Sequence, residues 1–173
     1  MDFTLSAEQD ARRQQVARLV DDDIIPVERD RANYDDHENL RLYLLDELRQ
    51  KVKAAGLWAP QMPKARGGLG CSVAEMAVLY EAMGRGLFGP MAFNCAAPDD
   101  GNMLLLEKVG TDAQKQGWLQ PIIDGHVRSA FAMTEPAPGA GSDPTQMRTT
   151  ADQRGNTWVI HGRKWYITGA GIA

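Results

Sequence analysis

The chain has 173 residues, enough for one sizeable core, and 43% of them are hydrophobic, as in ordinary globular proteins. The 19 basic and 23 acidic residues are scattered, and the formal net charge is −4, so nucleic acid is not an expected partner. No apolar run reaches membrane-spanning length, and the N-terminal segment lacks a basic region followed by an apolar one. We therefore expect a cytoplasmic protein without a signal peptide or membrane contact.

The residue types that bind metals or form redox pairs are isolated from one another. Neither Cys71 nor Cys95 lies close in sequence to the other, or to His37, His126 and His161. The short spacings typical of metal ligands or of a redox dithiol do not occur, so no metal site is predicted. We expect both thiols to be reduced groups in the core or at the surface.

The N-terminal part has the pattern of two helices. Ser6 and Gln9 have the S-x-x-Q form of a capping box, and the apolar residues behind them predict a first helix from Ser6 to Ile24. Pro26 could end this helix, or bend it with one further turn beyond the bend. A second helix is predicted over 39–55, because apolar residues recur at helical spacing and a glycine follows.

Helix breakers and helix caps divide the rest of this half. Residues 57–70 contain too many prolines and glycines for regular structure and predict an ordered loop. Capping-box patterns begin further helices at Ser72 and Thr111. A helix is predicted over 103–109, whereas 88–98 could be helix or coil. Short loops between these helices imply antiparallel neighbours, and hence a helical bundle.

The spacing of the apolar residues changes near Gly125. Beyond it, short segments rich in β-branched and aromatic residues are separated by turn sequences that contain glycine, which predicts strands. The predicted strands are 128–133, 147–151, 157–160 and 164–168. We therefore predict a mainly α chain that turns to β, with an α-helical N-terminal domain over 1–125 and the beginning of a β domain over 126–173.

In the second part of the chain, a short apolar segment is followed directly by a loop rich in glycine and proline. The Ala130–Met133 segment is short and apolar, which predicts a buried strand, and Thr-Glu-Pro stops it. Residues 137–142 are so rich in Gly and Pro that they predict a loop allowing close approach of a ligand or a neighbouring backbone. On composition alone, a plain surface loop is an equal alternative. The Gly139-Ala140-Gly141 triplet is no dinucleotide fingerprint, because a predicted strand and not a helix follows it.

Two motifs together, AMTEPAPGAGSD ending at Asp143 and KWYITGAG beginning at Lys164, resemble the acyl-CoA dehydrogenase family. Its signature pairs a T-E-P-x-G-S-D strand and loop with a downstream W-I-T strand. The resemblance implies an N-terminal helical bundle followed by the first strands of a β-barrel-like middle domain, here truncated. Two features depart from the family pattern: extra residues occur around Ala137-Pro138, and Tyr166 stands where most members have a Trp.

The resemblance implies FAD as the cofactor and assigns residues to it. The backbone of Met133 and Thr134, with the Thr134 hydroxyl, would line the flavin, and Thr168 would lie beside its reactive nitrogen. Ser142 would contact the acyl-CoA. The implied cofactor contacts are Phe131, Met133, Thr134, Tyr166, Ile167 and Thr168.

The implied reaction is α,β-dehydrogenation of a fatty acyl-CoA, in which a carboxylate removes the α-proton and the β-hydride goes to flavin. The resemblance places that base on a C-terminal helical domain outside this chain, so no catalytic residue is assigned here and the chain alone is expected to be inactive. Glu135 is interpreted mainly as a loop and dimer-contact residue. Electron-transfer flavoprotein is the implied electron acceptor, and a dimer or tetramer is the implied assembly of the complete enzyme.

Two alternatives stay open at this point. An acyl-CoA oxidase or a nitroalkane oxidase would share these motifs. The chain could also be a non-catalytic helical module that binds acyl groups or another protein without turnover. A yellow preparation that bleaches on adding an acyl-CoA would indicate the enzyme, whereas a colourless preparation that still binds a partner would indicate the module.

Overall fold

A computed structural model describes residues 4–139 and 141–173. The chain divides into two compact units, and the division lies between His126 and Val127. The first unit is helical, and the described part of the second contains one antiparallel pair of strands. The predicted class, helices first and strands afterwards, is therefore confirmed. Among the described residues, no helix combines the length and the apolar character needed to cross a lipid bilayer.

The N-terminal helical segment continues past its proline. Helix α1 covers Ala7–Leu19 and is capped by Ser6, whose side chain accepts a backbone amide proton in the predicted capping box. A wide π-helical turn, Val20–Ile24, leads into α2, Ile25–Arg29. Proline lacks an amide proton and its ring crowds the preceding turn. The wide turn before Pro26 accommodates both effects, so the further helical turn allowed by the sequence does form.

Helix α3, Leu42–Ala54, begins later than the predicted Asn39. The Asp35 side chain accepts the backbone amide protons of His37 and Asn39, so a tight turn occupies the residues that were predicted to open the helix. The buried face of α3 includes the predicted apolar stripe, through Leu45, Leu48 and Val52.

The predicted ordered loop after α3 packs against the end of the helical unit. Trp58 is 8% exposed, and its indole N–H donates to the Ile123 carbonyl at 2.7 Å. Gly68 has no room for a side chain, because an added Cβ would lie 2.2 Å from the Met62 carbonyl oxygen. The glycine in this loop is thus required by close backbone approach.

Three further helices follow the loop. Their bounds are Val73–Met83 for α4, Gly89–Ala92 for α5 and Asp99–Val109 for α6. α4 begins at the predicted Ser72 capping box, and the ambiguous stretch 88–98 contains one short helix. α6 begins earlier than the predicted residue 103, at two consecutive aspartates, whose negative charge is favourable in the first turn of a helix.

A last helical segment completes the first unit. Thr111 caps α7, Asp112–Gln114, and a π-helical turn, Lys115–Leu119, joins it to α8, Gln120–Asp124. As in the N-terminal segment, the wide turn precedes a proline near the start of the next helix. The helices share one apolar core, whose most buried members include Val16, Val20, Phe93, Met103, Leu119 and Ile123.

The second unit contains a β-hairpin. Strand β1, Thr150–Arg154, pairs antiparallel with β2, Thr157–His161. The turn between them is formed by Gly155-Asn156, as predicted. The predicted strand 157–160 is confirmed, whereas β1 is displaced toward the C-terminus from the predicted 147–151.

Two predicted strands, 128–133 and 164–168, are wrong. In the described residues these segments lie side by side without a regular ladder. The Lys164 ammonium group donates to the Met133 carbonyl at 3.0 Å, so a side chain takes an acceptor that a ladder would use. Tyr166 has a φ of 50°, which takes the backbone out of the β region.

The prediction that Ala130–Met133 is buried is also wrong. Phe131 is 56% exposed. A single two-stranded hairpin offers too little apolar surface to cover such a segment.

Candidate functional site

The two motif segments lie next to each other in the second unit. The Trp165 amide donates to the Thr134 carbonyl at 3.2 Å. Gly169 lies against Ser129, since a Cβ added to this glycine would be 3.3 Å from the Ser129 carbonyl oxygen. The segments therefore run antiparallel, and the predicted cofactor residues of the first motif lie beside those of the second.

A buried carboxylate connects the two segments. Glu135 is 5% exposed and accepts the backbone amide protons of Arg148 at 2.7 Å and Thr149 at 2.9 Å. The Lys164 ammonium donates to Glu135 at 2.9 Å and also to the Met133 carbonyl. The Thr149 hydroxyl donates to the same carboxylate and is the largest of the causes that lower the pKa of Glu135 to about 2.

This geometry gives Glu135 an internal role in place of the dimer contact that the sequence suggested. Its oxygens already accept several hydrogen bonds from donors of its own chain, and little of the side chain remains accessible to another subunit. The sequence did show one carboxylate in the first motif and a lysine, Lys164, at the start of the second. Sequence spacing cannot show that the two meet, because many residues separate them.

The glycine-containing loop folds back tightly on Glu135. The Glu135 amide donates to the Gly141 carbonyl at 3.0 Å, and the Gly139 amide donates to the Pro136 carbonyl at 2.8 Å. A Cβ added to Gly139 would lie 2.6 Å from the Glu135 Cβ, so a larger residue cannot replace this glycine without movement. Ser142 follows directly and is exposed, where its hydroxyl can contact a ligand.

Three aromatic side chains of the paired segments are exposed. The exposed fractions are 56% for Phe131, 44% for Trp165 and 83% for Tyr166. The Trp165 and Tyr166 rings contact each other, with centroids 4.8 Å apart. The positive φ of Tyr166 is uncommon for a bulky residue, and such strain is concentrated at functional sites. Exposed aromatic surface of this kind is typical of a binding site.

The remaining predicted cofactor residues line the same pair of segments. Met133, Thr134 and Ile167 are half-buried, and Thr168 is exposed. Apolar rings, two hydroxyl groups and backbone polar groups are thus available within one stretch. This set of groups fits a planar ring with apolar faces and polar edges, which is the chemistry of a flavin.

Sequence comparison covers both units. Residues 6–126 match the family model for the N-terminal domain of acyl-CoA dehydrogenase, and residues 130–173 match that for its middle domain. These matches identify an oxidoreductase class in which a helical domain precedes a β domain. The chain belongs to the acyl-CoA dehydrogenase family.

Individual relatives agree with this assignment. The probable acyl-CoA dehydrogenase FadE2 of Mycobacterium tuberculosis is 39% identical over 98% of this chain and 42% of its own length. A solved structure of a putative acyl-CoA dehydrogenase from Mycobacterium abscessus is 42% identical, with a TM-score of 0.85, and the match covers 97% of this chain and 44% of that one. A structure of PigA with FAD and proline is 26% identical, with a TM-score of 0.76, and the match covers 100% of this chain and 43% of that one. The chain therefore spans less than half the length of each of these proteins.

Proposed function

We propose that the chain is part of an enzyme that carries out α,β-dehydrogenation of a fatty acyl-CoA thioester with FAD as its cofactor. The family supports the reaction class, and the similar protein PigA is described with FAD. The observation that carries the proposal is the antiparallel contact between the two motif segments, which joins their predicted cofactor residues in one place.

In this proposal the paired segments bind and orient FAD, which supplies the hydride acceptor that side chains lack. The proposed contacts are Phe131, Met133, Thr134, Tyr166, Ile167 and Thr168. The hydroxyls of Thr134 and Thr168 can donate hydrogen bonds to polar edges of the ring system. The exposed rings of Phe131 and Tyr166 can pack on its apolar surface. Glu135 and Lys164 act indirectly, because they hold the two segments together.

The substrate is proposed to lie against the neighbouring loop. Ser142 would contact the acyl-CoA, since its side chain is exposed directly after the tight glycine turn. The second unit would hold the flavin through the two paired motif segments. The base that takes the α-proton would lie outside this chain. For the whole protein we propose electron-transfer flavoprotein as the electron acceptor and a dimer or tetramer as the assembly.

FAD titration of the purified 173-residue chain, followed by flavin fluorescence, tests the cofactor site. Tyr166→Ala should weaken binding by roughly two- to tenfold, because an aromatic contact contributes about 0.5–1.5 kcal/mol. Tyr43→Ala is the matched control, since Tyr43 is 59% exposed but belongs to the helical unit. Equal affinities for the two variants, or the absence of saturable binding by the unchanged chain, would contradict the proposal.

A further inference from the structure

Thr149 and Gly162 lie opposite each other at the open end of the β-hairpin. The antiparallel register of β1 and β2 ends with Thr150 opposite His161. Thr149 and Gly162 continue this register by one position, which places them side by side. A Cβ added to Gly162 would lie 2.1 Å from the Thr149 hydroxyl oxygen and 2.7 Å from the Thr149 Cβ. The Thr149 side chain therefore occupies the space that any side chain in place of Gly162 would need.

The Thr149 side chain, placed in this way, binds the buried carboxylate of Glu135. Its hydroxyl donates to Glu135 Oε1, and its backbone amide donates to the same oxygen at 2.9 Å. The Arg148 amide donates to Oε2 at 2.7 Å, and the Lys164 ammonium donates to Oε1 at 2.9 Å. These donors flank the hairpin on both sides. We call this set of donors, from Arg148, Thr149 and Lys164, the carboxylate cradle.

The carboxylate cradle is connected to the proposed cofactor residues through Lys164. The ammonium group that contacts Glu135 also donates to the Met133 carbonyl at 3.0 Å. The amide of Trp165, the next residue along the chain, donates to the Thr134 carbonyl at 3.2 Å. Loss of the contact between Glu135 and Lys164 should loosen both donors together, because they are neighbours in the chain.

We propose that Thr149 and Gly162 are positioning residues of the FAD site. Gly162 leaves room for the Thr149 hydroxyl, and this hydroxyl holds Glu135 in the carboxylate cradle. Glu135 and Lys164 then fix the backbone of the first motif segment. Neither Thr149 nor Gly162 is among the proposed flavin contacts. The effect on the cofactor rests on the proposed FAD function, whereas the contacts of the cradle can be tested without FAD.

Thr149→Val removes the hydroxyl donor with little change of shape. Because Glu135 is 5% exposed, a lost donor is not readily replaced by water, and a hydrogen bond to a charged group is stronger than a neutral one. Protection of the Trp165 amide against hydrogen exchange should decrease by about tenfold or more. Thr149→Ser keeps the hydroxyl and should restore the protection. Thr150→Val, at the next position and also exposed, is the matched control.

Acidification separates loss of the hydroxyl from a general loss of packing. The Thr149 hydroxyl is the largest cause of the lowered pKa of Glu135, followed by the Arg148 amide and the Lys164 ammonium. Without this hydroxyl the carboxylate should take up a proton at a higher pH. Protection of the Trp165 amide should therefore be lost at a higher pH in Thr149→Val than in Thr149→Ser. Equal midpoints for these two variants would contradict the proposal.

The role of Gly162 is tested by a pair of substitutions. Gly162→Ala should displace the Thr149 side chain and lower the protection of the Trp165 amide. Thr149→Ala removes the hydroxyl oxygen and the methyl group that the new Cβ would meet at 2.1 and 2.8 Å. In the Thr149→Ala background, Gly162→Ala should therefore have a smaller effect than it has alone. Full additivity of the two substitutions would mean that Gly162 acts without Thr149, and the proposal would be wrong.

Chemical rescue tests the carboxylate cradle while Thr149 and Gly162 stay unchanged. Glu135→Ala removes the carboxylate, and added sodium formate should restore protection of the Trp165 amide, because formate supplies a carboxylate to the same donors. Sodium chloride at the same concentration controls for ionic strength and should have no such effect. Glu135→Ala combined with Thr149→Val should recover less. No recovery with formate, or equal recovery in both variants, would overturn the proposal.

FAD titration followed by flavin fluorescence tests the effect on the cofactor. Thr149→Val and Gly162→Ala should weaken FAD binding by roughly two- to thirtyfold, as is typical of residues that act without touching the ligand. Thr149→Ser and Thr150→Val should bind FAD as the unchanged chain does. If the unchanged chain and Thr149→Val bind FAD equally well, the positioning role is wrong and the cofactor function stands. If the unchanged chain binds no FAD, the cofactor function is wrong, and the positioning role with it.

Discussion

At the scale of single residues, Glu135 is the buried carboxylate that connects the two motifs. It binds the amides that precede β1 and the ammonium of Lys164, which also holds the Met133 carbonyl. These interactions connect segments that are distant in sequence, and they fix the backbone on which the proposed cofactor residues are placed. Glu135 is therefore a positioning residue, because it acts through Met133 and Lys164.

The titration of Glu135 should control the order of this unit at acidic pH. Its pKa in the folded chain is about 2, below the ordinary 4.5, because the charged form accepts several hydrogen bonds. The stabilisation is fully present above the ordinary pKa and is lost as the pH falls toward 2. We expect protection of the Trp165 amide, measured by hydrogen exchange and corrected for intrinsic rates, to decrease over this window.

Glu135→Gln provides the comparison for this pH dependence. It cannot form the charge-assisted contacts, so the Trp165 amide should already be weakly protected at neutral pH and should change little on acidification. Asp152→Asn should retain the profile of the unchanged chain. If Glu135→Gln follows the same profile as the unchanged chain, another group is responsible for the acid sensitivity.

Thr168, through its hydroxyl group, is the second residue whose role can be tested by a single substitution. In a complete family enzyme that carries this sequence, Thr168→Ala should slow reduction of the flavin by roughly ten- to 150-fold. The reason is that a hydrogen bond to a group gaining charge contributes about 1.5 to 3 kcal/mol. Rapid mixing with an acyl-CoA measures this rate. His126→Ala, at an exposed position outside both motifs, is the control, and equal rates for the two variants would remove Thr168 from the site.

At the scale of elements, the features that depend on neighbouring residues were predicted well. The features that depend on contacts between residues distant in sequence were not. Each capping box was predicted, at Ser6, Ser72 and Thr111, because cap and partner lie within one helical turn. The strands at 128–133 and 164–168 were wrong, because apolar and aromatic content does not specify which backbone groups will be paired. The adjacency of the two motifs came from family resemblance, whereas their connection through Glu135 depends on tertiary contacts that the sequence does not display.

The contact between the loop after α3 and the last helix should be important for the helical unit. Trp58→Phe removes the indole donor and leaves the Ile123 carbonyl buried, which should lower the free energy of unfolding by about 1–3 kcal/mol. Trp118→Phe is the matched control, because Trp118 is 62% exposed. This substitution should change the free energy of unfolding by less than about 0.5 kcal/mol. Urea unfolding followed by circular dichroism compares the two. Equal effects would show that the hydrogen bond contributes little.

Replacing each of two glycines of the same unit with alanine should change the free energy of unfolding in opposite directions. Gly101 lies within α6 and an added Cβ meets no atom within 4 Å, so Gly101→Ala should stabilise the unit by about 0.5–1 kcal/mol. Gly68→Ala should destabilise it by more than this, since its Cβ would lie 2.2 Å from the Met62 carbonyl oxygen. Thermal unfolding measures both. A stabilising Gly68→Ala would mean that the loop can move without cost.

At the scale of the whole molecule, the two units are stabilised in different ways. Every buried hydrophobic side chain among the described residues lies before Val127. The second unit is held by the hydrogen bonds of Glu135 and by one hairpin, and Trp158 and Ile160 of β2 are 62% and 70% exposed. Since apolar burial is the main source of stability, the segments proposed to bind FAD belong to the weaker unit. We therefore expect the isolated chain to retain little FAD during purification.

The last prediction is that the 173-residue chain does not dehydrogenate a saturated acyl-CoA even when FAD is supplied. The chain spans 42% of the length of FadE2, and the family resemblance places the base in a C-terminal helical domain outside residues 1–173. Glu135 cannot readily replace that base, because its carboxylate is buried and engaged by donors of its own chain. General-base catalysis contributes about 10² to 10⁴ in rate, and loose orientation of the flavin would lower the rate further. Reduction of an artificial electron acceptor should therefore not exceed that of free FAD. Turnover by protein that mass spectrometry shows to be free of longer chains would contradict this expectation, and Glu135→Gln would then be the first variant to test.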